Sequence, residues 1–243
     1  MNLLLNEGVS VFLFTRFGKL KGIIHDGLLG SNYNNRLEQY ELFKCRRLEI
    51  AKFFVLKKLE EIEKQFNLNL SGFKENLKQA QTLDEVRGIE GNASKKMFDE
   101  VKKMLEKTPF KFEGRNYYPP KDEINALLSL TYTLIYAMSF GVVLALGFDP
   151  YISFLHSKRG THASFCSDVM EITRPFATKE LVQKVKARVF KKEDFETQGG
   201  RGIYLTSEGL NKLLNLVEGI SENIFSLLGE SIGGFSSFGE ELK

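Results

Sequence analysis

The 243-residue chain lacks several features that would place it at once in a class of proteins. It has two cysteines, Cys45 and Cys166, whose spacing fits no disulfide framework, and this favours a reducing cytoplasm. A large charge of one sign is also missing, because the formal net charge is +3, so any basic surface for nucleic acid must be local. No basic segment precedes the first apolar residues, and the start of the chain therefore does not predict a secretory signal.

Long uncharged runs are scarce, and the exception is the 25 residues from Ile124 to Phe148. By length alone this run could span a bilayer. It contains polar residues such as Asn125 and Thr131 and has no flanking basic cluster, which favours a helix buried at the centre of a larger bundle. We therefore expect a core helix and no membrane association.

The hydrophobic patterning divides the chain into a small β segment over residues 1–32 and an α-helical region over residues 33–243. Two β-prone runs, Val9–Phe14 and Leu20–Ile24, flank a predicted turn at Arg16–Lys19. Apolar spacings near three, four and seven predict a helix from Arg36 to about Phe66, with further helices at about 73–80, 90–107, 121–147, 162–177, 178–190 and 206–228. The glycine- and serine-rich tail after Leu228 is expected to be poorly ordered. The predicted fold class is α+β, predominantly α-helical.

Three titratable side chains follow the apolar run at short intervals. His156 comes after an Asp-Pro turn, Asp168 lies twelve residues later and Glu171 fifteen residues later. Asp168 and Glu171 are three residues apart on a predicted helix, so they share one face. Two acids beside an imidazole repel each other unless a cation lies between them, and this ligand mixture suits Mn²⁺ or Mg²⁺. Glu90, which has glycines close on both sides, supplies a further acid.

Basic residues surround these candidate ligands in the sequence. They are Arg87, Lys95, Lys96, Lys158, Arg159 and Arg174, and a second basic stretch runs from Lys179 to Lys192. Positive charge near a metal suits a DNA backbone, although a solvated helix face gives the same pattern. Cys166 has no companions for a thiol nucleophile, and the glycines near residue 200 lack the ending of an ATP-binding loop. The combination indicates metal-assisted chemistry on a phosphate ester.

Four blocks of this sequence, in this order, resemble the CRISPR-associated protein one family. The blocks are Arg87–Ala93, Pro119–Leu130 with Tyr132, Gly147–His156 and Asp168–Pro175. Each block alone is a weak match, and it is their order and spacing that carry the resemblance.

The resemblance implies roles for particular residues. Glu90, His156 and Glu171 would hold the metal, Mn²⁺ or Mg²⁺, and Asp168 corresponds to a neighbouring acid that assists the site. Nearby basic residues are candidates for binding the DNA backbone: Arg87, Lys158, Arg159 and Arg174.

The resemblance also implies an activity and partners. Proteins of this family are metal-dependent DNA endonucleases and integrases of CRISPR adaptation, which join the 3′-hydroxyl ends of short duplexes to the CRISPR repeat by transesterification. They form homodimers, and two dimers flank a dimer of the small ferredoxin-like CRISPR-associated protein two in a heterohexamer. We therefore expect double-stranded DNA and that small subunit as partners. The β segment of residues 1–32 is shorter than the family's N-terminal β domain and is expected to be a truncated form of it.

Two other functions stay open from the residues alone. A non-catalytic DNA-binding scaffold subunit of the same complex would keep the basic surface without needing a metal, and EDTA would not change its DNA binding. A small helical membrane protein built on the apolar run would be recognised by its extraction behaviour.

Overall fold

The computed structural model describes residues 2–7, 9–15, 20–25, 33–157, 160, 162–197 and 202–240. Helices dominate these residues, and their strands form two antiparallel sheets of two strands each. The fold is therefore α+β and mostly helical, which confirms the predicted class. The turn predicted at Arg16–Lys19 lies outside the described residues.

The N-terminal segment holds a short helix and a hairpin. Helix α1 covers Asn2–Asn6, which the β-prone patterning did not predict. Strands β1 (Val11–Phe14) and β2 (Leu20–Ile24) pair antiparallel, with Val11 opposite Ile24, and they coincide with the two predicted runs. All their side chains are half-buried or exposed, so the hairpin contributes little to the core.

The helical region contains nine further helices within the described residues. They are α2 (Tyr33–Cys45), α3 (Arg47–Phe66), α4 (Ser71–Gln79), α5 (Leu83–Leu105), α6 (Glu123–Ala145), α7 (Ser164–Met170), α8 (Thr173–Lys186), α9 (Ser207–Gly219) and α10 (Ser221–Glu240). The single helix predicted from Arg36 to Phe66 is in fact two, because the backbone leaves helical geometry at Arg46. Helix α5 begins earlier than predicted, since Thr82 and Glu85 form a reciprocal capping box at its first turn.

Helix α3 lies at the centre of the core and packs against α4, α5, α8 and α10. Its buried face follows a helical period, so one side of the helix is removed from water. Phe54 on this face contacts Phe165 of α7 and Phe235 of α10, with ring centroids 6.2 Å apart in each pair. These aromatic contacts bring α7, and the chain segment before it, against α3.

Helix α6 is the apolar run of the sequence, and it packs against α7, α8, α9 and α10. By length and composition it could cross a membrane, yet Ile135 and Val143 are fully buried among the other helices. Asp122 caps its N-terminus by accepting a hydrogen bond from the Asn125 backbone N–H at 2.8 Å. The predicted helix is confirmed, and 39% of its most apolar window is buried inside the protein. That it is a core helix and not a membrane span stays a prediction.

The C-terminal third departs from the prediction in two ways. Strands β3 (Phe195–Thr197) and β4 (Ile203–Leu205) form an antiparallel pair that was not predicted. The tail expected to be poorly ordered is helical to Glu240, and its Ile232 and Phe235 are buried. Packing overrides the low helix propensity of glycine here, because Gly234 lies directly under the ring of Phe53, where a larger residue would clash.

Candidate metal centre

The loop that carries His156 is held in place by one carboxylate. Asp168, in α7, accepts hydrogen bonds from the backbone N–H groups of Phe154, Leu155 and His156 at 2.6, 3.1 and 3.0 Å. The Asp168 side chain is fully buried, and these three donors replace the water that an ionised carboxylate would otherwise need. Asp168 therefore fixes the position of the loop as well as its charge environment.

The same carboxylate sets the tautomer of the imidazole. Nδ1 of His156 lies 2.7 Å from Oδ1 of Asp168, and an ionised carboxylate can only accept, so Nδ1 carries the proton. When the imidazole is neutral, this leaves the lone pair on Nε2 for another partner. Burial alone lowers the pKa of His156, but the hydrogen bond and the charge of Asp168, with the charge of Glu171, raise it above its ordinary value.

Glu171, the residue that follows α7, is buried beside this imidazole. Its Oε1 lies 3.5 Å from Nε2 of His156 and 3.1 Å from a guanidinium nitrogen of Arg174, yet accepts no hydrogen bond. Its Oε2 accepts a 2.6 Å hydrogen bond from the Lys58 ammonium. Burial alone raises the pKa of Glu171, but Arg174, Lys58 and His156 outweigh it and lower the pKa to about 2. Glu171 is therefore ionised and has one oxygen without a donor.

Glu90 reaches the same place from α5. Its Oε1 accepts a hydrogen bond from the hydroxyl of Ser94 at 2.8 Å and forms an ion pair with the ammonium of Lys58. Lys58 thus bridges Glu90 and Glu171, two acids that are far apart in the sequence. The structure places all four predicted residues, Glu90, His156, Asp168 and Glu171, in one cluster.

The chemistry of this donor set fits a divalent metal. A neutral imidazole whose other nitrogen is bonded to a carboxylate is the usual arrangement of a metal-binding histidine. The undonated Oε1 of Glu171 faces that Nε2 from a buried position, and Glu90 adds a second carboxylate. As the side chains stand, no three His, Cys, Asp or Glu residues in the described part of the chain converge closely enough to hold an ion among themselves. The ammonium of Lys58 occupies the place between Glu90 and Glu171.

The predicted basic residues differ in where the structure puts them. Arg87 donates to the carbonyl of Leu155 at 2.9 Å and to the hydroxyl of Ser157 at 3.1 Å, so its guanidinium braces the loop that carries His156. Arg174 stacks over the ring of Tyr132 at 5.2 Å and faces Glu171. The remaining two candidates, Lys158 and Arg159, lie outside the described residues.

A cleft of about 2120 Å³ opens beside the cluster, and Glu90, His156 and Glu171 are part of its wall. Arg115, which sequence reasoning missed, also lines this cleft. Its guanidinium donates to Oδ1 of Asn125 at 2.9 Å and to the hydroxyl of Ser129 at 3.0 Å. These bonds hold a second cation near Arg174 at the cleft surface.

Lys58 was also missed, although the sequence carries a signal for it. In α3 it lies on the same face as Phe54 and Ile62, where the pattern requires apolar residues. A charged residue on the buried stripe of an amphipathic helix breaks the local rule, and such violations often mark functional sites. Arg115 left no comparable signal, because it stands in an irregular segment next to Gly114.

The fold and the cluster together define a mostly helical protein with a carboxylate–imidazole centre at the wall of a cleft. The family model described as CRISPR associated protein Cas1 matches residues 1–219, and the chain belongs to this family. A relative named CRISPR-associated endonuclease Cas1, from Clostridium perfringens, is 27% identical over 237 residues, which cover 90% of this chain and 70% of the relative. This agrees with the resemblance seen in the sequence blocks.

Solved structures share the fold at lower identity. A Cas1 protein from Thermotoga maritima superposes with a TM-score of 0.86 at 22% identity, over 96% of this chain and 79% of that one. A casposase bound to integration product gives 0.80 at 22% identity, over 90% and 65% of the two chains. A chain of a Cas6-RT-Cas1–Cas2 complex gives 0.71 at 23% identity, over 89% and 26%.

Proposed function

We propose that this protein is a divalent-metal-dependent DNA endonuclease and integrase of CRISPR adaptation. The observation that carries the proposal is the facing pair formed by Nε2 of His156 and the undonated Oε1 of Glu171, with Glu90 nearby, at the wall of the cleft. Family membership supports the biological setting, and the name of the relative from Clostridium perfringens supports an endonuclease. The casposase, whose structure contains a bound integration product, supports strand transfer on this fold.

Glu90, His156 and Glu171 are the residues that would hold Mn²⁺ or Mg²⁺. When bound, such an ion stabilises negative charge on a phosphate and lowers the pKa of an attacking hydroxyl. Asp168 keeps the proton of His156 on Nδ1, so Nε2 stays available as a metal ligand. The charge of Arg174 beside Glu171 favours a phosphate at the same wall of the cleft.

Double-stranded DNA is the proposed substrate. Arg115 and Arg174 both lie at the cleft and both stack on Tyr132, so two fixed cations are available to phosphates. The 3′-hydroxyl ends of a short duplex would be joined to a CRISPR repeat by transesterification. We propose Lys158 and Arg159 as further backbone contacts, as the resemblance implies.

The small ferredoxin-like Cas2 subunit is the proposed protein partner. The solved complex of Cas6-RT-Cas1–Cas2 contains a chain of this fold together with Cas2, which supports the proposal. The expected assembly is a heterohexamer in which two homodimers of this protein flank a dimer of the partner.

Strand transfer tests the proposal. The protein would be incubated with its Cas2 partner, a duplex with 3′-hydroxyl ends and a supercoiled plasmid carrying a CRISPR repeat, with Mn²⁺ or with EDTA. Joined product with Mn²⁺, absent in EDTA and absent for His156→Ala, is the expected result. An Asp149→Asn variant serves as the control, because that carboxylate accepts a local hydrogen bond within its own turn, from the N–H of Tyr151 at 2.7 Å.

A different outcome would replace the proposal. DNA binding that persists in EDTA without any joined product would identify a non-catalytic scaffold subunit. Joined product that is unchanged by His156→Ala would place the chemistry at another site.

A further inference from the structure

Lys58 is buried at a depth that lysine seldom occupies. Its side chain is 3% exposed, and it lies on the core face of α3 between Phe54 and Ile62. A lysine at this depth is tolerated only when its charge is paired, because the removal of an unpaired ammonium from water is strongly unfavourable. Its partners therefore explain its presence.

The partners of Lys58 are two of the three proposed metal ligands. Its Nζ donates to Oε2 of Glu171 at 2.6 Å and is ion-paired with Oε1 of Glu90. Both contacts are ion pairs with a carboxylate, which favour the charged form of the side chain, so Lys58 is an ammonium. A positive charge of the protein itself thus stands between the two carboxylates.

The charges of the cluster favour a single cation between Glu90 and Glu171 rather than two cations. Glu90, Asp168 and Glu171 carry three negative charges, and Lys58 and Arg174 carry two positive ones, while an imidazole that binds a metal through Nε2 is neutral. Adding a divalent ion to this set would leave one positive charge in excess in a poorly solvated place. If the ammonium of Lys58 moved away as the ion bound, the set would be neutral, and like charges would not face each other.

The structure also gives Lys58 a way to move. Although it is almost fully buried, it is part of the wall of the cleft, and Glu90 beside it is 24% exposed. The side chain of lysine is an unbranched, flexible chain that ends in a compact charge, so its end can swing while its stem stays packed. The ammonium can therefore turn toward the cleft without passing through the core.

We propose that Lys58 is a resident cation that positions Glu90 and Glu171 and that a divalent metal displaces from them, so that Lys58 sets the metal affinity of the site. The inference rests on the proposed metal-dependent function and adds a residue to it. Lys58 is a positioning residue: its ammonium holds Glu90 and Glu171 by ion pairs until a metal takes its place, at the expense of weaker metal binding. The ligand class is a divalent cation with preference for oxygen and imidazole donors, such as Mn²⁺ or Mg²⁺.

Calorimetric titration of Mn²⁺ into the EDTA-stripped, dialysed full chain tests this inference. Lys58→Met keeps the length and apolar stem of the side chain but removes its charge, and we expect it to bind Mn²⁺ at least about tenfold more tightly than the wild type. A residue that only supported the fold would give the opposite result, because its loss could only weaken binding. Lys57→Met is the matched control, since Lys57 is the neighbouring lysine but pairs with Glu60 and Glu230 on the surface, and its affinity should equal that of the wild type.

Thermal melting gives a second readout with the same variants. Lys58→Met should melt below the wild type in EDTA, because two carboxylates then face each other unpaired, and should gain more from Mn²⁺ than the wild type does. Where Lys58→Met cannot be prepared, Lys58→Arg decides. Its planar guanidinium can bind both carboxylates more firmly, so Mn²⁺ binding should weaken by about tenfold.

The outcomes separate this inference from the proposed function. Equal or weaker Mn²⁺ affinity of Lys58→Met, with normal binding by the wild type, overturns the role of Lys58 alone; so does an unchanged affinity of Lys58→Arg where that variant decides. Failure of the wild type and all variants to bind Mn²⁺ overturns the metal site itself, and the inference with it. If Lys58→Met binds Mn²⁺ and the wild type does not, the result supports the proposal that the ammonium of Lys58 competes with the metal for Glu90 and Glu171.

Discussion

Two buried acids in this protein have opposite surroundings. Asp194 is 2% exposed, and its Oδ1 accepts from the ammonium of Lys212 and its Oδ2 from the N–H of Lys191, both at 2.7 Å. Glu171 is 1% exposed, but one of its oxygens accepts no hydrogen bond. Both acids have a lysine partner, so the presence of an ion pair does not distinguish them. The difference lies in whether the second oxygen is satisfied.

The comparison shows how a structural acid can be told from a functional one. Buried polar atoms in folded proteins nearly always have a partner, and an exception calls for a specific reason. Asp194 is complete and holds the segment before β3 against α9, where Lys212 lies. Oε1 of Glu171 accepts no hydrogen bond, although it lies 3.1 Å from Arg174 and 3.5 Å from Nε2 of His156, and this is the side on which we propose that a metal binds. Removing each acid should therefore affect different properties.

The largest expected effect is that of Glu171→Gln on metal binding. The amide removes the negative charge and replaces one ligand oxygen by an NH₂ group, which cannot bind a metal. The Mn²⁺ affinity should therefore fall by more than about 100-fold, which exceeds the loss typical of groups that only surround the ligands. Titration of Mn²⁺ by calorimetry measures it. Affinity within a few-fold of the wild type would show that Glu171 is no ligand.

Asp168→Asn should lower both the stability of the fold and the affinity for Mn²⁺. The amide presents N–H groups to the backbone donors of Phe154 and Leu155, so the free energy of unfolding should fall by about 3 kcal/mol. It also loses control of the tautomer of His156, which should weaken Mn²⁺ binding by about 10–100-fold. Chemical denaturation and Mn²⁺ titration measure the two effects, with Asp149→Asn in the same segment as the control. A variant as stable as the wild type would refute the anchoring role of Asp168.

Asp194→Asn should lower stability without touching metal binding. It leaves Lys212 and the N–H of Lys191 poorly paired, and the free energy of unfolding should fall by about 2 kcal/mol. Mn²⁺ affinity should stay at the wild-type value. If metal binding by this variant dropped as it does for Glu171→Gln, the contrast between the two acids would fail.

The smallest expected effect concerns the helix that carries Glu90. Thr82→Ala removes one half of the capping box of α5 and should cost about 1 kcal/mol of unfolding free energy. Urea denaturation measures the loss, with Thr197→Ala, an exposed threonine of β3, as the control. Mn²⁺ affinity should not change, because the cap lies two turns from Glu90. A stability loss equal to that of the control would show that the box contributes nothing.

Much of the site could be predicted because its residues are close in the sequence. His156, Asp168 and Glu171 lie within sixteen residues, so their spacing and chemistry already indicate a shared site. Glu90 was placed by the resemblance of its block, and the structure brings it to Lys58. Lys58 itself was not predicted, because a single lysine in a helix usually lies on the solvated face.

The fold could be predicted where local patterning decides it and not where packing does. The strands at Val11 and Leu20 and the apolar helix α6 follow their patterns. The helical tail does not, because its glycines allow close contact with Phe53 and its Phe235 completes an aromatic cluster. Contacts of that kind join residues that are distant in the sequence, and a single sequence carries no local signal for them.

The most direct test of the metal centre is anomalous X-ray scattering from crystals grown with Mn²⁺. We expect one strong peak contacted by Glu90, His156 and Glu171, with the ammonium of Lys58 moved away from both carboxylates. Crystals saturated with Mn²⁺ that show no peak at these residues, and in which Lys58 still bridges Glu90 and Glu171, would contradict it.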